Sequence, residues 1–148
     1  MAMADRRAEA TWAGNLIEGS GTLDLVSSGV ASSLPITWAS RTEKADGRTS
    51  PEELLAGAHA SCYAMAFSHA LATAGNPPER LHVTSVVSLN PKEGGGVEVT
   101  DSALTVTGSV PGLDQVGFQS AAEAAELGCP ISNAIRDNVA ITVTATLD

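Results

Sequence analysis

The opening third of the chain alternates apolar and polar positions over short runs, the period-two pattern of half-buried strands. RRAEATWAG (6–14) and GTLDLVSSG (21–29) predict a hairpin, and LPITW (34–38) a short third strand. The polar stretch RTEKADGRTS (41–50) reads as a loop. Beyond it the pattern changes, and TSPEELLAGAHASCYAMAFSHAL predicts one long, Ala-rich, largely buried helix ending near Thr73. Ser50 is a good N-cap, Pro51 suits the first helical position, and Glu52 and Glu53 suit the positive end of the helix dipole. Glu53 also lies where a capping box needs it. Gly75, Asn76, Pro77 and Pro78 end the helix.

Two long strand-like runs follow, LHVTSVVSLN (81–90) and GVEVTDSALTVTGSV (96–110), joined by the flexible tip PKEGGG. A helix is expected from about Asp114 to Leu127 and a shorter one from Pro130 to about Asp137. VAITVTATL (139–147) closes the chain as a β-branched strand. The order βββ–α–ββ–α–α–β predicts an α+β fold built on antiparallel hairpins rather than βαβ repeats. No internal repeat or linker interrupts it.

Length and charge narrow the classes of function. The 148 residues predict a single domain, 1–148, large enough to hold a core without staples. A formal net charge of −9 and the absence of any basic run argue against nucleic acid as a partner. No apolar stretch reaches the ~18 residues needed to span a bilayer, so a soluble protein with no membrane partner is expected. Aromatic residues make up only 3% of the chain, which leaves Ala and Val to fill much of the core. That predicts close helix–sheet packing and burial against a second subunit. The segment MAMADRRAEATW has charges where a signal peptide needs an apolar run, so a cytoplasmic location is expected.

Candidate chemistry rests on Cys62 and Cys129. A free cysteine often serves only as a small buried hydrophobe. If the two thiols meet, however, the chain can carry two electrons and make and break a disulfide. Cys129 falls between Gly128, a natural C′ residue, and Pro130, a natural N1. That puts it at an N-cap, where the dipole and free N–H groups favour a thiolate. Cys62 is mid-helix, and its thiolate needs a cation from elsewhere; Arg41 and Arg48 are the nearest by sequence. His59 and Cys62 are spaced i, i+3, with His69 two turns beyond Cys62, but neither a CxxC nor an HxxxH pair occurs. Both histidines read as ordinary helix residues. GxSxG is absent, and GSG and GGG lack the setting of a nucleotide site. A Cys62 acyl hydrolase lacks a histidine placed as its general base.

These residues together resemble the OsmC/Ohr family of organic hydroperoxide reductases, within it the OsmC branch. The carriers are TWAGNL with GSGTL, LPITW with Arg41, TSPEELLAGAHASC, and LGCPIS. The resemblance implies a cysteine peroxidase needing no haem, flavin or metal, folded as an intertwined homodimer around long central helices, with active sites at the subunit interface. Cys62 matches the family's peroxidatic cysteine, Cys129 its resolving cysteine, Glu52 its glutamate and Arg41 its arginine, with Arg48 in the same loop as the alternative. It further implies regeneration by an external dithiol, often a lipoyl group. Leu54, Leu55, Met65 and Phe67 offer apolar surface near Cys62, which favours alkyl or lipid hydroperoxides over hydrogen peroxide. The competing reading is a redox-responsive or structural homodimer without peroxide turnover.

Overall fold

Strands β1 (Glu9–Ala13), β2 (Ser20–Asp24) and β3 (Leu34–Ile36) form an antiparallel sheet in that order, in a computed structural model describing residues 1–148. Register runs from Glu9 opposite Asp24 to Ala13 opposite Ser20, then from Gly21 opposite Ile36 to Leu23 opposite Leu34. These strands belong to the first of two compact units, Met1–Pro51; the second is Glu52–Asp148.

The end of the predicted third strand and the start of the predicted loop instead form a short helix, α1 (Trp38–Thr42). The reason is local. Thr37 Oγ1 accepts the N–H of Ser40 at 3.0 Å while Ser40 Oγ accepts the N–H of Thr37 at 3.0 Å. This reciprocal pair is a capping box with serine in the place usually held by Glu or Gln.

α2 (Pro51–Thr73) runs the length expected, without a break at Gly57. Glu52, His59, Tyr63, Phe67 and Leu71 form its buried face, recurring at about two turns and then one turn each. It closes on Gly75 at φ +89°, with Asn76 N–H donating to Leu71 O at 2.9 Å and Gly75 N–H to Ala72 O at 3.1 Å. Those two bonds are a Schellman closure, which needs a residue at positive φ.

The second sheet is mixed, in the order β4 (Arg80–Pro91), β5 (Val97–Ser109), β6 (Ala140–Leu147). β4 and β5 pair antiparallel, but β5 and β6 run parallel, from Asp101 opposite Ala140 to Gly108 opposite Leu147. The expectation of antiparallel sheets throughout is therefore corrected for β6. The cause lies in the connection: α3 (Gln115–Leu127) and α4 (Pro130–Ile135) carry the chain back across the sheet, and a crossover of that length delivers a parallel strand.

Inward-facing Leu104, Val106 and Ala145 from this sheet share one core with Tyr63, Phe67 and Leu71 of α2 and Phe118, Ala122 and Ala125 of α3. Phe67 lies between Tyr63 and Phe118, with ring centroids 5.7 and 5.3 Å away. The packing is close, as an Ala- and Val-rich core requires: a Cβ at Gly108 would stand 2.8 Å from both Leu81 Cδ2 and Phe118 Cζ. No helix is long and apolar enough to cross a membrane.

Candidate active site

Cys62, in the fourth turn of α2, and Cys129, at the start of α4, lie within hydrogen-bonding reach of each other, both as free thiols. The folding logic that joins them is simple. Phe118 and Ala122 anchor α3 in the core, and α3 stops at Gly128, so the chain turns directly beside α2. Pro130 then starts α4 with Cys129 as its N-cap. Gly128 takes a right-handed helical conformation, φ −93° and ψ −2°, rather than the left-handed one expected of a C′ glycine.

The two thiols differ in access. Cys129 is fully buried, whereas Cys62 is half-buried, so of the two only Cys62 is open to solvent. They also differ in polar surroundings, and not as the sequence suggests. Cys129 makes no side-chain cap hydrogen bond, although it occupies the N-cap. The N–H of Ile131, in that first turn of α4, instead donates to Cys62. Burial pushes the Cys62 thiol up from its ordinary value; the Ile131 N–H opposes this, and neighbouring Cys129 adds to the rise. A thiolate at neutral pH therefore calls for a positive charge beyond what α4 supplies.

Arg41 belongs to the amino-terminal unit. It sits in the last turn of α1 with its guanidinium 5.8 Å from the centre of the Trp38 ring. It also lines a mostly apolar cavity of about 300 Å³ with Trp12, Leu16, Ile36, Trp38 and Pro51. Arg48, the alternative, pairs with Asp46 at 3.1 Å on an exposed turn. Glu52 lies in the first turn of α2 and is only 8% exposed. Because α2 is unbroken, Glu52 and Cys62 of one chain stand about 15 Å apart along its axis. Of the apolar residues expected around Cys62, Phe67 is fully buried in the core and lines no surface, whereas Met65 is 68% exposed.

By sequence an ordinary helix residue, His59 joins a buried hydrogen-bond network. It is completely buried, its Nδ1 2.6 Å from Ser102 Oγ on β5 and its Nε2 2.8 Å from Ser132 Oγ on α4. Ser102 Oγ continues to Ser85 Oγ at 3.1 Å. Burial lowers the His59 pKa, while the Glu126 carboxylate partly offsets this. The ring is accordingly neutral, one nitrogen donating and the other accepting. With both nitrogens engaged by serine hydroxyls, His59 presents no free lone pair to a metal. No sequence pattern marks these partners, because they come from three separate elements.

The site and the fold define a small α+β protein carrying two adjacent free thiols, one half-buried and one buried, and comparison with known proteins gives its family. The model of the OsmC family, described as OsmC-like protein, matches residues 43–144. Peroxiredoxin OsmC of Escherichia coli (strain K12) is 35% identical over 136 residues, 92% of this chain and 93% of its own. Among solved structures, an organic hydroperoxide resistance protein OsmC from Legionella pneumophila superposes with a TM-score of 0.76 at 27% identity, covering 99% of both chains. The organic hydroperoxide resistance protein OhrB of Bacillus subtilis gives 0.72 at 27% identity, covering 95% of this chain and 98% of its own. The chain belongs to the OsmC family.

Proposed function

We propose that this protein is a thiol-dependent peroxidase that reduces organic hydroperoxides to alcohols, and hydrogen peroxide less well. The observation that carries the reading is the pairing of an accessible Cys62 with a shielded Cys129 across the α2–α4 contact. The names of the relatives, a peroxiredoxin and hydroperoxide resistance proteins, support it.

The chemistry runs in three steps. The Cys62 thiolate attacks one peroxide oxygen; the O–O bond breaks, the alkoxide takes up a proton and leaves as the alcohol, and Cys62 becomes a sulfenic acid. The Cys129 thiol then attacks that sulfur, forming the Cys62–Cys129 disulfide and releasing water. An external dithiol, of which a lipoylated protein is one chemical type, returns both cysteines to thiols by exchange.

Arg41 supplies the charge that the Cys62 thiolate needs, and Glu52 orients that guanidinium through a charge-assisted pair. An unbroken α2 favours a homodimer in which Glu52 serves the partner's active site, since it cannot reach the cysteine of its own helix. An apolar cavity beside Arg41 favours alkyl over hydrogen peroxide, which gains nothing from apolar burial.

The test is peroxide consumption with a dithiol reductant, comparing cumene hydroperoxide with hydrogen peroxide in wild type and Cys62→Ser. Turnover that prefers the organic peroxide and disappears in the variant is expected. A wild-type protein that forms its disulfide yet turns over no peroxide is instead a redox-responsive dimer.

A further inference from the structure

His59 is a buried polar group for which the peroxidase mechanism has no use, and it sits one turn before Cys62 on the same helix. Its two hydrogen bonds run in opposite directions, one to the sheet at Ser102 and one to α4 at Ser132. Ser132 is three residues beyond Cys129 and adjacent to Ile131, so the imidazole grips the turn that holds both the second thiol and the N–H reaching Cys62.

α4 has only six residues; Ser132 is its one buried residue, and Ile131 packs partly buried against the core. Its other side-chain hydrogen bond to the rest of the fold is from Arg136, which follows its last turn and bonds Glu126 of α3 at 2.8 Å. A helix this short does not keep its own geometry in water and takes it from its packing. A hydrogen bond in a fully desolvated site is costly to leave unmade, so His59 and Ser132 strongly favour one position of the turn.

We propose that His59 is a positioning residue of the dithiol: by bridging Ser102 and Ser132 it fixes the first turn of α4 against α2, and so sets the distance at which Cys129 meets Cys62. The histidine hydrogen-bonds to neither sulfur, because both its ring nitrogens are taken by serine hydroxyls. Its effect is on how often the two sulfurs are in bonding range, hence on the equilibrium between dithiol and disulfide. The proposal rests on the reading of Cys62 and Cys129 as a redox pair.

Two substitutions of equal polarity separate position from mere occupancy. His59→Gln places an amide near the site of Nε2 and keeps the link to Ser132; His59→Asn places one near Nδ1 and keeps only the link to Ser102. Ser132→Ala removes the α4 end alone. The readout is the equilibrium constant for Cys62–Cys129 disulfide formation against dithiothreitol, with hydrogen exchange over residues 129–135, on protein shown to be folded. The expected result is a roughly tenfold weaker disulfide, and faster exchange, in His59→Asn and Ser132→Ala, with His59→Gln within about threefold of wild type. If all three match wild type, or if His59→Gln and His59→Asn fall equally, the positioning role is wrong. Should neither histidine variant fold, Ser132→Ala decides alone. A wild-type protein that forms no disulfide at all would instead overturn the redox-pair reading.

Discussion

Glu52 and Cys62 stand on one uninterrupted helix, ten residues and about 15 Å apart, so the two side chains of a single chain cannot meet at one peroxide. If both serve one active site, they come from different subunits. Co-expressed Glu52→Ala and Cys62→Ser chains, each inactive alone, should then recover activity in the heterodimer, which retains one intact composite site. Heterodimers that form and stay inactive would show that Glu52 serves its own subunit or acts only as a first-turn acid.

The two cysteines should fail in different ways. Cys62→Ser should lose peroxide reduction entirely, whereas Cys129→Ser should still be oxidised once at Cys62. Without its partner thiol the sulfenic acid has no route to a disulfide and climbs to the sulfinic acid. Mass spectrometry after one equivalent of organic hydroperoxide should find one oxygen on Cys62 in Cys129→Ser, with a second appearing as more peroxide is added, and an intrachain disulfide in wild type. Oxygen appearing first on Cys129 would reverse the roles.

His59 should impose an acid limit on stability. Its folded pKa lies below its ordinary value of about 6.5 because burial disfavours the imidazolium, with the Glu126 carboxylate, itself paired to Arg136, working the other way. Between the two pKa values the unfolded chain binds more protons than the folded one, so stability falls as pH drops through that window. Above about pH 6.5 the histidine is neutral in both states and this contribution to the pH dependence vanishes. Denaturant unfolding of wild type and His59→Gln between pH 7.5 and 5 should show the wild type losing more stability on acidification. Parallel curves would mean the ring is not held neutral.

β6 keeps a free edge opposite β5, and α3 covers it with side-chain amides. Gln119 Oε1 accepts from Ala145 N–H at 2.7 Å, and Gln115 Oε1 accepts from Leu147 N–H at 2.8 Å while its Nε2 donates to Ala145 O at 2.8 Å. One helical turn separates the two glutamines, which matches the two-residue repeat of the strand edge. Gln119→Ala should cost about 1–2 kcal/mol and accelerate amide exchange at Ala145. Unchanged exchange there would show that water satisfies the edge equally well.

Much of this was legible along the chain, because it depends on near neighbours. Pro51, the two glutamates behind it and Gly75 mark the ends of α2 by cap chemistry that acts over four residues, and the helix lies where they place it. Alternation located β4, β5 and β6 to within a residue or two, and Pro130 located α4. The two cysteines stood out by type alone. What the chain in three dimensions decided were relations that no local rule carries. Strand β6 is parallel because of the path taken by α3 and α4, not because of anything in VAITVTATL. The Ile131 N–H at the start of α4 serves Cys62 rather than the Cys129 that caps the helix, since the direction of a side chain depends on what packs above it. Phe67, one of four apolar residues close to Cys62 in sequence, went to the core because Tyr63 and Phe118 met there. His59 found its hydroxyl partners 43 and 73 residues away; sequence displays a histidine, but only the packing of sheet and helices determines whether it is solvated, ligating or locked.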